Sequence, residues 1–203
     1  LNRIIKPNGA IVLFGSEPFS SALRMSNIKN FKYDIIWHKS RKGGIFHAKQ
    51  RPLKEHENIS IFSELPCAYA RGKETMKYYP IMVKKDKETK KNKGSILKGY
   101  ISEQSGKAIA KSSKDYNGKL SYPTSILEIK NEGKTVHPTQ KPVALMEYLI
   151  KTYTNENETV LDFTMGSGST GVAAKQTNRN FIGIEQDENY FNIATERING
   201  TLF

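Results

Sequence analysis

"TVLDFTMGSGSTG", residues 159–171, decides the fold. Its first five residues predict a strand, and Gly166, Gly168 and Gly171 then follow with the spacing G-x-G-x-x-G. Taken alone, that spacing is the dinucleotide fingerprint, and a weak one. "TGVAAKQT" (170–177) opens a helix, and "FIGIE" (181–185) is the next strand. Asp187 caps a last helix that carries Tyr190, Ile193, Ala194 and Ile198. Strand, glycine loop, helix, strand and helix in that order make the parallel layout of an α/β fold.

Ligands of such units lie beyond the carboxyl ends of the strands, where glycine lets the backbone approach closely. Two carboxylates argue against a dinucleotide. Asp162 ends the strand before the loop, where a pyrophosphate would be repelled and a cationic ligand end welcomed. Glu185 ends the next strand, 23 residues later, placed to accept both hydroxyls of a ribose. An adenosine-type cofactor with an amino-acid tail satisfies both, and S-adenosyl-L-methionine is the obvious one.

Further upstream, "AIVLFG" (10–15) is a continuous apolar run that predicts a buried strand. "YDIIWHK" (33–39) and "ENISIF" (57–62) are two more strands, rich in isoleucine and aromatics. Between them runs a basic loop with a Gly-Gly hinge, "SRKGGIFHAKQRPLK". Pro142 suits the first turn of a helix whose apolar positions are Val143, Met146, Leu149, Ile150 and Tyr153. From 64 to 134 lysines, glycines and Tyr78, Tyr79, Tyr100, Tyr116 and Tyr122 alternate without a period, as in an insertion. The chain thus divides into 1–63, 64–134 and 135–203.

Net charge follows that division. The whole chain carries +12: residues 1–70 hold 11 Lys/Arg and 5 Asp/Glu (+6), residues 71–134 hold 16 and 7 (+9), and residues 135–203 hold 5 and 8 (−3). The first two-thirds suit a polyanion; a lysine-rich solvated face is the alternative. One cysteine, Cys67, excludes an internal disulfide and suits a reducing, cytoplasmic setting. No apolar run is long enough to cross a bilayer. His38, His47 and His56 recur every nine residues, but one cysteine and no close ligand pair leave no metal expected.

"LDFTMGSGSTG" with "FIGIE" resembles the cofactor loop and ribose strand of the amino-group DNA methyltransferases, and "HPTQKP" (137–142) resembles that family's partner motif. The order, with the cofactor half behind a variable insertion, is similar to the beta-type arrangement. The resemblance covers essentially all of the chain except 64–134. One departure is visible: the commoner loop reads Asp-Pro-Phe, whereas here it is Asp162-Phe163-Thr164. The resemblance implies a Rossmann-like fold with a mostly parallel sheet, helices on both faces and an inserted target-recognition region. The activity it implies is methyl transfer from S-adenosyl-L-methionine to the exocyclic amine of adenine, with cytosine-N4 as the alternative.

By the same resemblance, Met165, Gly166, Ser167, Gly168, Ser169 and Thr170 hold the cofactor, with Asp162 supporting the loop. Glu185 takes the ribose hydroxyls, and His137, Pro138, Thr139, Gln140 and Lys141 line the pocket. A packing or capping role for His137 competes on equal terms. Lys39, Arg41, Lys42, His47, Lys49 and Arg51 are expected to meet the phosphates of double-stranded DNA, against a merely solvated loop. The tyrosines of the insertion either stack on bases or pack. A homodimer or a second subunit is a further expected partner, and no membrane is.

One element of the resemblance is absent. The family's chemistry requires [Asp/Asn/Ser]-Pro-Pro-aromatic, which accepts hydrogen bonds from the flipped base's amino group. None of the eight prolines here are adjacent, and "SEPF" (16–19) has only one. The tetrad strand belongs between the cofactor strand and "AIVLFG", so a gap in the sheet is expected there. The segment is expected upstream of Leu1, and the 203 residues alone are expected to be inactive. A non-catalytic cofactor- or DNA-binding subunit is the competing class; a nicotinamide dehydrogenase is disfavoured by HPTQKP and the basic surface.

Overall fold

The computed structural model describes residues 1–68, 74–84 and 120–200. Its elements begin with β1 (Ile11–Gly15), α1 (Phe19–Ser26), β2 (Phe31–Gly43) and β3 (Lys54–Phe62). There follow β4 (Val83–Lys84), β5 (Leu120–Ser121), β6 (Ile126–Glu128), α2 (Val143–Tyr153), β7 (Thr159–Asp162), α3 (Ser169–Gln176), β8 (Asn180–Gly183) and α4 (Glu188–Gly200).

The larger sheet has the order β1-β3-β2-β6. β3 is antiparallel to both β1 and β2, and β6 runs parallel to β2. The fold is α/β as expected, but this half of it is mixed rather than mostly parallel. The reason is local: β2 and β3 are joined by a short loop, and only antiparallel strands can be. The apolar run at residues 10–15 reads as fully buried, yet every residue of β1 is only half-buried. A strand with a ladder neighbour on one side only keeps its other edge open. His38 and His56 are opposite each other on β2 and β3, with His47 in the connecting loop. Their nine-residue recurrence is therefore the geometry of a hairpin.

β6 lies in the stretch that reads as insertion, yet it belongs to this sheet. Trp37, 1% exposed, fixes it by donating its indole N–H to the Ile129 carbonyl at 2.8 Å. β4 and β5 form a separate two-stranded antiparallel ladder, Val83 opposite Ser121 and Lys84 opposite Leu120.

β7 and β8 are parallel, as the glycine-loop unit requires. They pair with each other and not with β1, so an interruption lies between the two sheets among the described residues. α2 spans it. Leu145, Leu149 and Tyr153 enter a core with Ile35, Trp37, Ile59 and Ile61, while Met146 and Ile150 meet Ala173 and Ala174 of α3. Phe14 of β1 and Val160 of β7 both reach that second cluster. No helix among the described residues is long and apolar enough to cross a membrane.

Candidate functional site

The glycine loop turns directly off the end of β7. Gly166 and Gly168 have φ of +52° and +80°, left-handed values that side chains rarely tolerate. Gly168 precedes α3, and a Cβ there would stand 2.9 Å from Ala194 Cβ, so its absence lets α4 close on the loop. Asp162 ties the turn together, accepting from Thr170 Oγ1 at 2.6 Å and from the Thr164 N–H at 3.1 Å. Met165 is buried and donates its N–H to the Ile184 carbonyl. Ser169 Oγ is buried without a hydrogen-bond partner among the described residues. Phe163 is 42% exposed beside the turn.

Glu185 reaches the same loop from just beyond β8. One carboxylate oxygen accepts from the Gly166 N–H at 2.8 Å, and the other accepts from the N–H groups of Gln186 and Asp187. The N–H of Asp187, then that of Gly166, hold this carboxyl below its ordinary value. Asp162 and Glu185 thus stand at the carboxyl ends of two adjacent parallel strands.

The HPTQKP segment divides. The His137 ring lies 3.7 Å from where a Gly166 side chain would begin, and meets Tyr190 edge-on with centroids 4.3 Å apart. Its Nδ1 accepts from the Thr139 N–H at 3.2 Å. Gln140 accepts from Ser167 Oγ at 3.0 Å, and Pro138 is exposed. Lys141 links the segment to the larger sheet: its ammonium donates to the Thr139 carbonyl at 3.1 Å, is 3.2 Å from Glu57 of β3 and lies over the Phe14 ring. Glu57 also holds Lys39. Burial would raise the Glu57 carboxyl, but the Lys39 hydrogen bond and the Lys141 charge overcome it and hold it below its ordinary value.

Sequence reading missed two residues. Glu132 accepts from the side-chain amide of Gln140, and from the Val143 N–H at 2.9 Å, capping α2. Arg197 of α4 donates to both the carbonyl and, at 2.9 Å, the hydroxyl of Ser167, and lies 3.9 Å from Glu132. A partial signal exists for Arg197. It falls three residues after Ala194, on the helix face that meets Gly168.

The basic residues are not equivalent. Lys39 is held by Glu57 and lies over the Trp37 ring, and Lys42 is 3.4 Å from Glu55. Arg41 donates to the Asn131 side chain and the Gly133 carbonyl. His47 contacts Gln50. Lys49 and Arg51 are exposed, with no ion pair among the described residues.

Geometrically, the loop and its two carboxylates can bind and orient a ligand with paired hydroxyls and a cationic end. Residues 1–196 match a family described as DNA methylase. The chain is 30% identical over 202 residues to the Type II methyltransferase M.HinfI of Haemophilus influenzae, covering 97% of this chain and 48% of that protein. It is 49% identical over 63 residues to the Type II methyltransferase M2.LlaDCHI of Lactococcus lactis subsp. cremoris, covering 31% and 23%. The chain therefore spans about half the length, or less, of these curated relatives. Among solved structures, the M1.HpyAVI–SAM complex superposes with a TM-score of 0.62 at 28% identity, covering 97% of this chain and 77% of that one.

Proposed function

The chain belongs to the N6-adenine/N4-cytosine DNA methylase family, and we propose that it is the cofactor- and DNA-binding part of a site-specific methyltransferase acting on the exocyclic amine of adenine. The observation that carries this reading is the Glu185–Gly166 bond at 2.8 Å. It sets a strand-end carboxylate against the glycine loop, with the His137 ring beside the same glycine.

The donor set fits S-adenosyl-L-methionine, the ligand of the neighbouring M1.HpyAVI–SAM complex. Asp162 would repel a pyrophosphate and suits an α-ammonium, and Glu185 suits the hydroxyls of a ribose. Glu185 engages three of its lone-pair sites with backbone donors, and the oxygen that faces Gly166 keeps a site for a ribose hydroxyl. Gly166, Ser167 and Gly168 wrap the amino-acid tail, while Asp162 braces the turn through Thr170. His137, Pro138, Thr139 and Gln140 close the site from the preceding segment; Lys141 acts through Glu57. When bound, the cofactor supplies a methyl group made electrophilic by its sulfonium.

Double-stranded DNA is the proposed substrate, met by the loop of Arg41, Lys42, His47, Lys49 and Arg51, with residues 64–134 as the target-recognition part. A homodimer or second subunit, and a cytoplasmic setting, belong to the same reading. These 203 residues hold no adjacent prolines. No Pro-Pro tetrad is therefore present to localise the amino lone pair, and the chain alone should bind without transferring the methyl.

Two measurements test this. Glu185→Ala should weaken S-adenosyl-L-methionine binding by about 1–3 kcal/mol in calorimetric titration of the full-length protein; unchanged affinity would sink the ribose assignment. Mass spectrometry of nucleosides from treated DNA should find N6-methyladenine. N4-methylcytosine instead would reverse the choice of base.

A further inference from the structure

Between β2 and β3 the chain forms a hydrogen-bonded tip that ends in an aromatic ring. Gly44, with φ +83°, opens a 3-10 turn over Ile45–His47. His47 N–H donates to the Gly44 carbonyl at 2.9 Å, and Gln50 and Arg51 N–H both donate back to the His47 carbonyl. The tip is thus shaped by its own backbone. At its apex Ile45 is 70% exposed and Phe46 is 99% exposed. The two adjacent side chains make an apolar point at the tip, and covering it would remove that area from water.

The surroundings indicate which partner. Residues 40–54 contain Arg41, Lys42, Lys49, Arg51 and Lys54 and no acid. A ring held out among cations with no acid in its own loop is complementary to a polyanion with an apolar interior, which describes a stacked duplex. The base of the hairpin is also tied to the candidate cofactor site. Glu57 holds both Lys39 and Lys141, and Arg41 donates to Gly133 just ahead of His137.

We propose that Phe46 is a wedge that enters the base stack of duplex DNA, with Lys49 and Arg51 on the flanking phosphates, and holds open the space left by an extruded base. The inference rests on the DNA substrate proposed above and adds a residue that unstacks it.

The test uses the full-length protein as wild type, Phe46→Ala and Phe46→Trp. A nicked plasmid is sealed by ligase at matched protein occupancy, and its topoisomers are compared after protein removal. An inserted ring unwinds the duplex. Wild type and Phe46→Trp should therefore lower the linking number, and Phe46→Ala should lose most of that shift while its binding keeps the same salt dependence. Equal unwinding by Phe46→Ala would overturn the wedge. So would an indole in the Phe46→Trp variant already shielded from acrylamide in the free protein, since the ring would then be covered by the chain itself. A loss of self-association in Phe46→Ala with unwinding intact would overturn it too, in favour of a contact between copies. If wild type binds no duplex at all, the DNA reading itself fails, an outcome distinct from binding without unwinding.

Discussion

Arg197 donates to both the carbonyl and the hydroxyl of Ser167, so the last helix grips the apex of the glycine loop. Ser167 in turn donates to Gln140, which donates to Glu132. The tail of the proposed cofactor would rest on a strap drawn from three separated parts of the chain.

Arg197→Ala should therefore weaken S-adenosyl-L-methionine by about 1–3 kcal/mol, the cost of losing charge-assisted bonds. Binding of 5′-methylthioadenosine, which lacks the amino-acid tail, should change far less. Equal losses for both ligands in calorimetry would mean that Arg197 only stabilises the fold.

Gly168→Ala should destabilise the protein by more than about 1 kcal/mol, because it combines a left-handed backbone with a clash. The added Cβ would stand 2.9 Å from Ala194 Cβ and 3.2 Å from its carbonyl oxygen. Gly133→Ala, where a Cβ meets nothing within 4 Å, is the control and should stay within about 0.5 kcal/mol. Chemical denaturation of the two variants makes the comparison.

The Glu57 pairings give a pH dependence with a definite sign. The folded carboxyl lies below its ordinary 4.5, so its contribution is present above that value and is lost as pH falls through the lower, folded one. Glu57→Gln should be less stable than wild type near neutrality, and the two should converge on acidification. Melting temperatures that stay a constant interval apart down the acid range would refute the linkage.

Salt should separate the cations of the hairpin. Each phosphate neutralised contributes about 0.9 to the log–log salt slope of duplex binding. Lys49→Ala and Arg51→Ala should each lower the slope by roughly that amount. Lys39→Ala should leave it nearly unchanged, since its ammonium is engaged by Glu57. A Lys39 variant with the same loss as Lys49 would show that the pair opens on DNA.

How much of the molecule is legible in its sequence depends on whether the signal is local. Gly166, Gly168 and Asp162 are readable because a turn off a strand end demands those residue types within a few positions. α2 is readable from its helical spacing. β6 is not: three residues in a lysine-rich stretch have no periodicity, and what pairs them with β2 is an indole 92 residues away. α1 is too short for its pattern to stand out: Phe19, Ala22 and Leu23 fall at helical spacing, but within only eight residues that include three serines. Glu132 cannot be distinguished from other solvated charges, because its partners on Gln140, Val143 and Arg197 meet only in the folded chain. Lys141 shows what a motif leaves out: the sequence places it beside Thr139, and only the fold brings Glu57 of β3 to its ammonium.

The small β4–β5 ladder has a consequence for how such a protein can diversify. It brings residues 84 and 120 side by side, so the two ends of the segment 85–119 are held at one point. Doubling the length of what lies between would cost only about 0.6 kcal/mol in closure entropy. If the proposed target-recognition role of the insertion holds, exchange of 85–119 would change the DNA sequence read and leave the glycine loop in place. A chimera with that segment taken from a relative should melt close to the parent temperature, and a collapse in melting temperature would mean that the cassette is not separable.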